Sequence, residues 1–346
     1  MLALMSADIQ QGRVEWVDIL KGVAIILVVL GHISYRCPHL KEFIYSFHMP
    51  LFFTLAGCAA HISMQRSRSI GVFIGKRAIG LMVPYVVWLL SSPLIFGYAE
   101  QWRNYNLQEA IHCILTGNVT CWFLICLFTL QLYYALYTWT SKTVKAGWVC
   151  ILIAGGIYVG SFLIHRRWGW MHGDAGYWDL QFLTSAYKNL PAFALGIAMM
   201  QQRRVLDAIL HSRVIALLCI VMVVFGNCLA RDFQLLSISQ EITGVAATCI
   251  LIRLVHDYQL PTGISRQASF IGKSTLIIYL LSGQCQPTDI PIIGGGNSVM
   301  TALALGVVSI LICYVCILFE KVLSLSPLTA LLFLGKVKRK EVGGVR

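Results

Sequence analysis

Residues 13–60 read RVEWVDILKGVAIILVVLGHISYRCPHLKEFIYSFHMPLFFTLAGCAA, and the fold follows from them. Two apolar runs, about Val17–Tyr35 and Phe43–Ser63, are joined by a short polar hairpin. Each is close to the roughly 20 residues that a helix needs to cross a bilayer. The first carries Asp18, Lys21 and His32, and the second carries His48. An ionisable group inside a span costs about 2.5–3.5 kcal/mol on insertion scales, so these side chains call for a reason. Between Lys21 and His32 the helix turns through three full circles, which returns both to nearly one face, roughly 16 Å apart along the axis. Asp18 lies one turn before Lys21 and can pair with it. His48 opens the second run near the end where His32 closes the first. Antiparallel neighbours would therefore hold both imidazoles at similar depth.

Composition agrees with a membrane bundle. The 346 residues are 58% hydrophobic and 12% charged, with mean hydropathy +0.73. Soluble domains are nearer half apolar and a quarter charged. The expected fold class is all-α: one polytopic membrane-embedded domain over 1–346, with the signature hairpin at 13–63, about ten transmembrane helices and both termini cytoplasmic. The first run is broken by Asp18 and Lys21 and lacks a small-residue cleavage site, so it reads as a retained span and not a signal peptide. The formal charge of +12 does not imply nucleic acid. On this topology Lys and Arg are about threefold more numerous inside than outside, the positive-inside pattern. The twelve cysteines show no framework spacing. Cys313 and Cys316 read as small buried residues of the last span, while Cys113 and Cys121 flank a span entry where a disulfide is conceivable.

The remaining spans are expected at about Ile79–Tyr98, Val119–Trp139, Ala146–Ile164, Phe182–Met200, Val214–Ala230, Ile238–His256, Ala268–Gln284 and Ser298–Val322. A basic amphipathic lead-in, RSRSIGVFIGKRAIG, precedes the third, and Pro84 and Pro93 should kink it. Leu107–Thr116 is expected on the outer surface. Leu323–Leu334, interrupted by Pro327, is too short to cross and is expected at the inner surface. No internal repeat is visible.

R-x₄-D-x₂-K-G-x₉-H followed by F-H-M-P-L-F-F-x₃-G resembles the signature of the acyltransferase-three family, integral-membrane enzymes that move acyl groups onto sugar hydroxyls. The fucose-4-O-acetylase-like group is the nearest flavour. The resemblance implies a catalytic His32. Physically, an imidazole among apolar helices stays neutral at rest and can take a proton from an attacking hydroxyl; the plainer reading is a buried histidine bonded to a backbone carbonyl. Asp18 and Lys21 are either an ion pair closing the helix or part of the donor site. His48 precedes Pro50, which leaves the Ser46 carbonyl without its helical donor. It either satisfies local backbone groups or orients His32 or the acceptor.

The family's F-x₂-[KR]-R-x₂-R-x₃-P pattern implies a cytoplasmic site for acyl-CoA phosphates. Phe73, Lys76, Arg77 and Pro84 keep it, but Gly80 stands where the second arginine is expected; Arg66, Arg68 or Lys76 can supply charge instead. Trp122-Phe123-Leu124 resembles the W-F-L entry of a middle span, or else anchors an interface. GKSTLIIYLLS (272–282) resembles a late family segment in which Thr275 and Tyr279 fit, with Ser282 where histidine is common. It is no P-loop, because Gln267 occupies the place of the first glycine. The Trp- and Tyr-rich segment 165–179 suits a sugar ring or an aromatic belt.

The expected activity is transfer of an acetyl or other acyl group from acyl-CoA to a hydroxyl of a lipid-linked or exported glycan. The expected setting is the plasma membrane of a bacterium, with the bilayer and the glycan as partners and no metal. The alternative is a secondary transporter that uses Lys21, His32, His48 and Lys188 as an intramembrane relay. The topology has a direct check: reporter fusions at Arg339 and Asn106 should label opposite sides of the membrane, and labelling on one side would refute it.

Overall fold

The structure is a computed structural model that describes residues 15–35, 37–95, 121–143, 156, 160, 181–232, 236–257, 261–283, 285 and 298–337. Among the described residues there are helices and no strands. The hairpin gives α1 (Glu15–Ile33), a short α2 (Pro38–Tyr45) and α3 (His48–Gln65). Next come α4 (Ile70–Arg77), a π-helical turn at Ala78–Met82 and α5 (Val83–Ile95), followed by α6 (Trp122–Thr143), α7 (Gln181–Gln201), α8 (Arg203–His211) and α9 (Arg213–Asp232). The chain continues with α10 (Leu236–Asp257), α11 (Thr262–Gly272), α12 (Thr275–Ser282), α13 (Val299–Leu323) and α14 (Pro327–Leu334). Five of the described helical stretches are long and apolar enough to cross a membrane: α1, α2–α3, Ile70–Ser91, Trp122–Ser141 and α13. The bent pair α8–α9, turning by 72°, makes a sixth if counted as one span. Apart from residues 156 and 160, the expected fifth span lies outside the described residues, as does the whole expected outer segment 107–116.

Close helix crossings organise the bundle. A Cβ on Gly22 would overlap the Ala268 carbonyl, and one on Gly272 would overlap the Asp18 carbonyl. These paired contacts run α1 and α11 antiparallel, backbone against backbone. Gly57 and Gly196 do the same for α3 and α7, against the carbonyls of Phe193 and Thr54. Small residues suit such crossings, because lipid tails are as apolar as the helix faces and only close packing favours association. Around the crossings lie two apolar cores. One gathers Leu20, Ile25, Val29, Leu51, Leu55, Ile278 and Cys313; the other gathers Phe53, Phe73, Leu130, Tyr134 and Phe193 between α3, α4, α6 and α7.

Three expectations need correction. The third span begins at Ile70, not Ile79: Ser69 caps α4 by accepting from the Val72 N–H at 3.2 Å, so the basic lead-in is already helix. The distortion near Pro84 takes the form of the π turn just before it. Proline brings no N–H to the preceding turn, and a wider turn accommodates the loss. The ninth span is broken at Lys273-Ser274 into α11 and α12, which leaves Lys273 exposed instead of placing its ammonium inside a continuous helix. The final short helix also packs on the bundle. In α14 the Phe333 carbonyl accepts from Trp88 Nε1 at 3.0 Å, and the Lys336 ammonium pairs with Glu320. Gly335, at φ +62°, ends α14 in the left-handed turn that favours glycine.

Substitution at the crossings should be costly. Gly22→Ala and Gly196→Ala force backbones apart and should each lose about 1–3 kcal/mol or more, read as a lower melting temperature in detergent. Gly75→Ala, with nothing within 4 Å of its added methyl, should melt no lower than the parent protein.

Candidate active site

A cavity of about 700 Å³ opens between α1, α3, α6 and α12, with α2 and the α4–π segment completing its wall. Lys21, Ile25, Val28 and His32 line it from α1, the helical face anticipated from their spacing. Lys21 is paired with Asp18 at 3.9 Å, one turn earlier on the helix. Asp18 is itself buried and does not line the cavity. Met49, Phe52, Ala56 and Ala59 continue the wall on α3, below His48.

The two histidines meet through an aromatic ring that sequence reasoning missed. Tyr45, the last residue of α2, lies 4.8 Å from the His48 ring and 6.3 Å from the His32 ring, centroid to centroid. Lys41 sits 5.4 Å over the same tyrosine. His32 keeps an exposed surface, whereas His48 is only 5% exposed. Its Nδ1 is 2.9 Å from the Ile44 carbonyl. A carbonyl only accepts, so Nδ1 carries the hydrogen and Nε2 is left with its lone pair. The two readings of His48, as backbone partner and as chemical group, are thus geometrically compatible.

The opposite wall comes from α6 and α12. Trp122, Phe123, Leu127 and Gln131 line it from α6, and Thr275, Tyr279 and Ser282 from α12. Tyr279 Oη accepts from the Phe123 N–H at 3.3 Å, which ties the broken span to the entry of α6. The break after Gly272 is what starts α12 beside the cavity.

Of the four basic residues expected to meet the donor phosphates, Arg66, Arg68, Lys76 and Arg77, only Arg77 lines the cavity, its guanidinium 5.4 Å from the Phe73 ring. Arg66, Arg68 and Lys76 are exposed and lie off the cavity. Two buried polar atoms on its wall have no hydrogen-bond partner: Arg77 Nε and Gln131 Oε1. Gln131 was not singled out from the sequence, although an amide within the apolar run FLICLFTLQLYY was a signal. Among the described residues no group of His, Cys, Asp or Glu is placed to hold a metal ion.

Residues 14–319 match the sequence model described as an acyltransferase domain. The chain belongs to the acyltransferase-three family. Shorter matches link it to nodulation protein NolL of Sinorhizobium fredii (strain NBRC 101917 / NGR234), 40% identical over 82 residues. The second is nodulation protein NolL of Mesorhizobium japonicum (strain LMG 29417 / CECT 9101 / MAFF 303099), 33% identical over 95 residues. These alignments cover 20% and 23% of this chain, and 22% and 25% of the two relatives' own lengths. No solved structure matches.

Proposed function

We propose that this protein is a membrane O-acyltransferase of the bacterial plasma membrane, moving an acetyl group from acetyl-CoA to a sugar hydroxyl of a lipid-linked or exported glycan. The observation that carries the proposal is that one cavity holds Lys21 and Arg77 together with His32 and His48. Donor charge is met by the cations, with exposed Arg66, Arg68 and Lys76 available for phosphates on the cytoplasmic side. Tyr45 offers a ring to a sugar beside the histidines, and Trp122, Thr275 and Tyr279 form the facing wall. Membership in the family supports the reaction class, and the match to the two nodulation proteins agrees with an origin in bacteria.

In this reading His32 is the general base. It takes the proton of the acceptor hydroxyl as that oxygen attacks the thioester carbonyl carbon. The tetrahedral intermediate collapses with cleavage of the C–S bond, and the proton held by His32 goes to the leaving thiolate. The products are an O-acetyl sugar and free CoA. His48, fixed as the Nδ1–H form by the Ile44 carbonyl, presents Nε2 as an acceptor that orients His32 or the incoming hydroxyl. Lys21 is held by Asp18 in a cavity with few other charges, so its ammonium faces an anionic part of the donor across low-dielectric walls.

The histidines give the decisive test. General-base assistance is worth about 10²–10⁴-fold, so His32→Ala should lose most acetyl transfer while the protein still inserts and binds acetyl-CoA. His48→Ala should lose less. Transfer that survives His32→Ala but collapses in His48→Ala would reverse the two roles, and near-normal transfer in both would remove the mechanism. Arg77 gives a second test: Arg77→Gln should raise the KM for acetyl-CoA more than it lowers kcat, because donor contacts hold ground and transition states alike. An unchanged KM would move the donor site elsewhere.

A further inference from the structure

Two orphaned polar atoms share the cavity. Gln131 is 4% exposed, and its Oε1 has no partner. The Nε of Arg77 is equally buried and equally unpartnered. The two side chains stand on adjoining elements, since α4 and the π turn both pack on α6. Both side chains line the cavity, whose wall also carries the apolar residues Ala56, Ala59, Leu81 and Leu127. A polar atom buried without a partner is destabilising, and native structures keep few of them. Two on the wall of one cavity point to a ligand that completes both.

Their chemistry is complementary, and calls for a ligand that both accepts and donates, as an amide or a hydroxyl does. Arg77 Nε is a donor and cannot accept, whereas Gln131 Oε1 accepts and cannot donate. One donor and one acceptor on an apolar wall match the C=O and N–H of a secondary amide. They do not match a phosphate, which carries acceptors only and leaves Gln131 Oε1 unmet. Nor do they match an acyl chain, which carries neither. The thioester donors built on CoA have secondary amides along the pantetheine arm, between the phosphates and the sulfur.

We infer that Arg77 and Gln131 form an amide clip for the pantetheine arm of the acyl donor: Arg77 Nε–H donates to an arm carbonyl, and an arm N–H donates to Gln131 Oε1. Gln131 is then a specificity residue of the donor site. The clip selects thioesters carried on this arm over acyl phosphates and simple thioesters. Binding also removes the cost of the two unpaired atoms, so a donor without the arm amides leaves both exposed to that cost. The inference rests on the proposed use of acyl-CoA.

The test is a binding comparison on the full chain in detergent, needing no glycan. CoA carries the arm, while 3′-phospho-ADP carries the same nucleotide and phosphates without it. The parent protein should bind CoA more tightly than 3′-phospho-ADP. Gln131→Met and Gln131→Leu should each weaken CoA about tenfold, the worth of a hydrogen bond whose loss strands a buried partner, and change 3′-phospho-ADP by less than twofold. A CoA analogue N-methylated at both arm amides checks the parent protein without any substitution, and should lose the advantage of the arm. Equal weakening of both ligands in the Gln131 variants, or an unweakened N-methyl analogue, would overturn the clip while leaving the acyl-CoA reading intact. A parent protein that binds neither CoA nor 3′-phospho-ADP would overturn the acyl-CoA reading itself, and the clip with it.

Discussion

The backbone-to-backbone crossing of α1 on α11 is the constraint on which the site depends. In water a helix pair is driven together by burial of apolar surface. In a bilayer that force is absent, and association comes from packing at short range. Gly22 and Gly272 permit the approach, and a side chain larger than hydrogen at either position meets a carbonyl oxygen of the other helix. The crossing fixes the level of Asp18 and Lys21 on one helix against the end of α11 on the other. The chain must then turn, and the turn at Lys273-Ser274 delivers Thr275 and Tyr279 to the cavity. A packing requirement at one helix pair thus positions groups on a second wall.

A similar logic governs the histidines. Pro50 leaves the start of α3 short of one backbone donor, and the chain breaks between α2 and α3 at Ser46-Phe47. Across this break the His48 ring donates to the Ile44 carbonyl, which also accepts from the Phe47 N–H. The imidazole that bridges the break is thereby held in one tautomer, against Tyr45 and across from His32. Structural and chemical uses of the residue do not compete, because they engage different ring nitrogens.

Much of this was legible in the sequence. The hairpin could be read because period and polarity agree: Lys21, Ile25, Val28 and His32 form one face by spacing alone, and that face lines the cavity. Residues that depend on a bend were harder. Nothing in the local pattern separates a continuous ninth span from α11 and α12, and the break lies just past Gly272, which meets a helix some 250 positions earlier in the chain. Tyr45 fell within the second apolar run as one more aromatic residue, and only the fold brings it between two imidazoles. Gln131 lay in plain view as an amide in an apolar run. Its meaning comes from what it lacks in the folded protein, which no spacing rule reports.

The π turn at Ala78–Met82 has a consequence for how this wall can vary. Such a turn carries one residue more than an α-helix would over the same rise, so it sets the phase of everything before it against everything after it. Each residue in an α-helix advances the face by about 100°. Arg77 and Phe73 lie before the turn, while Tyr85 and Trp88, which anchor α5 in the bundle, lie after it. Were the extra residue lost, with α5 still held, the guanidinium would swing about a quarter-turn or more off its present bearing without any change in its own identity. The arginine is therefore encoded twice: once as a side chain, and once as a count of residues between it and Pro84.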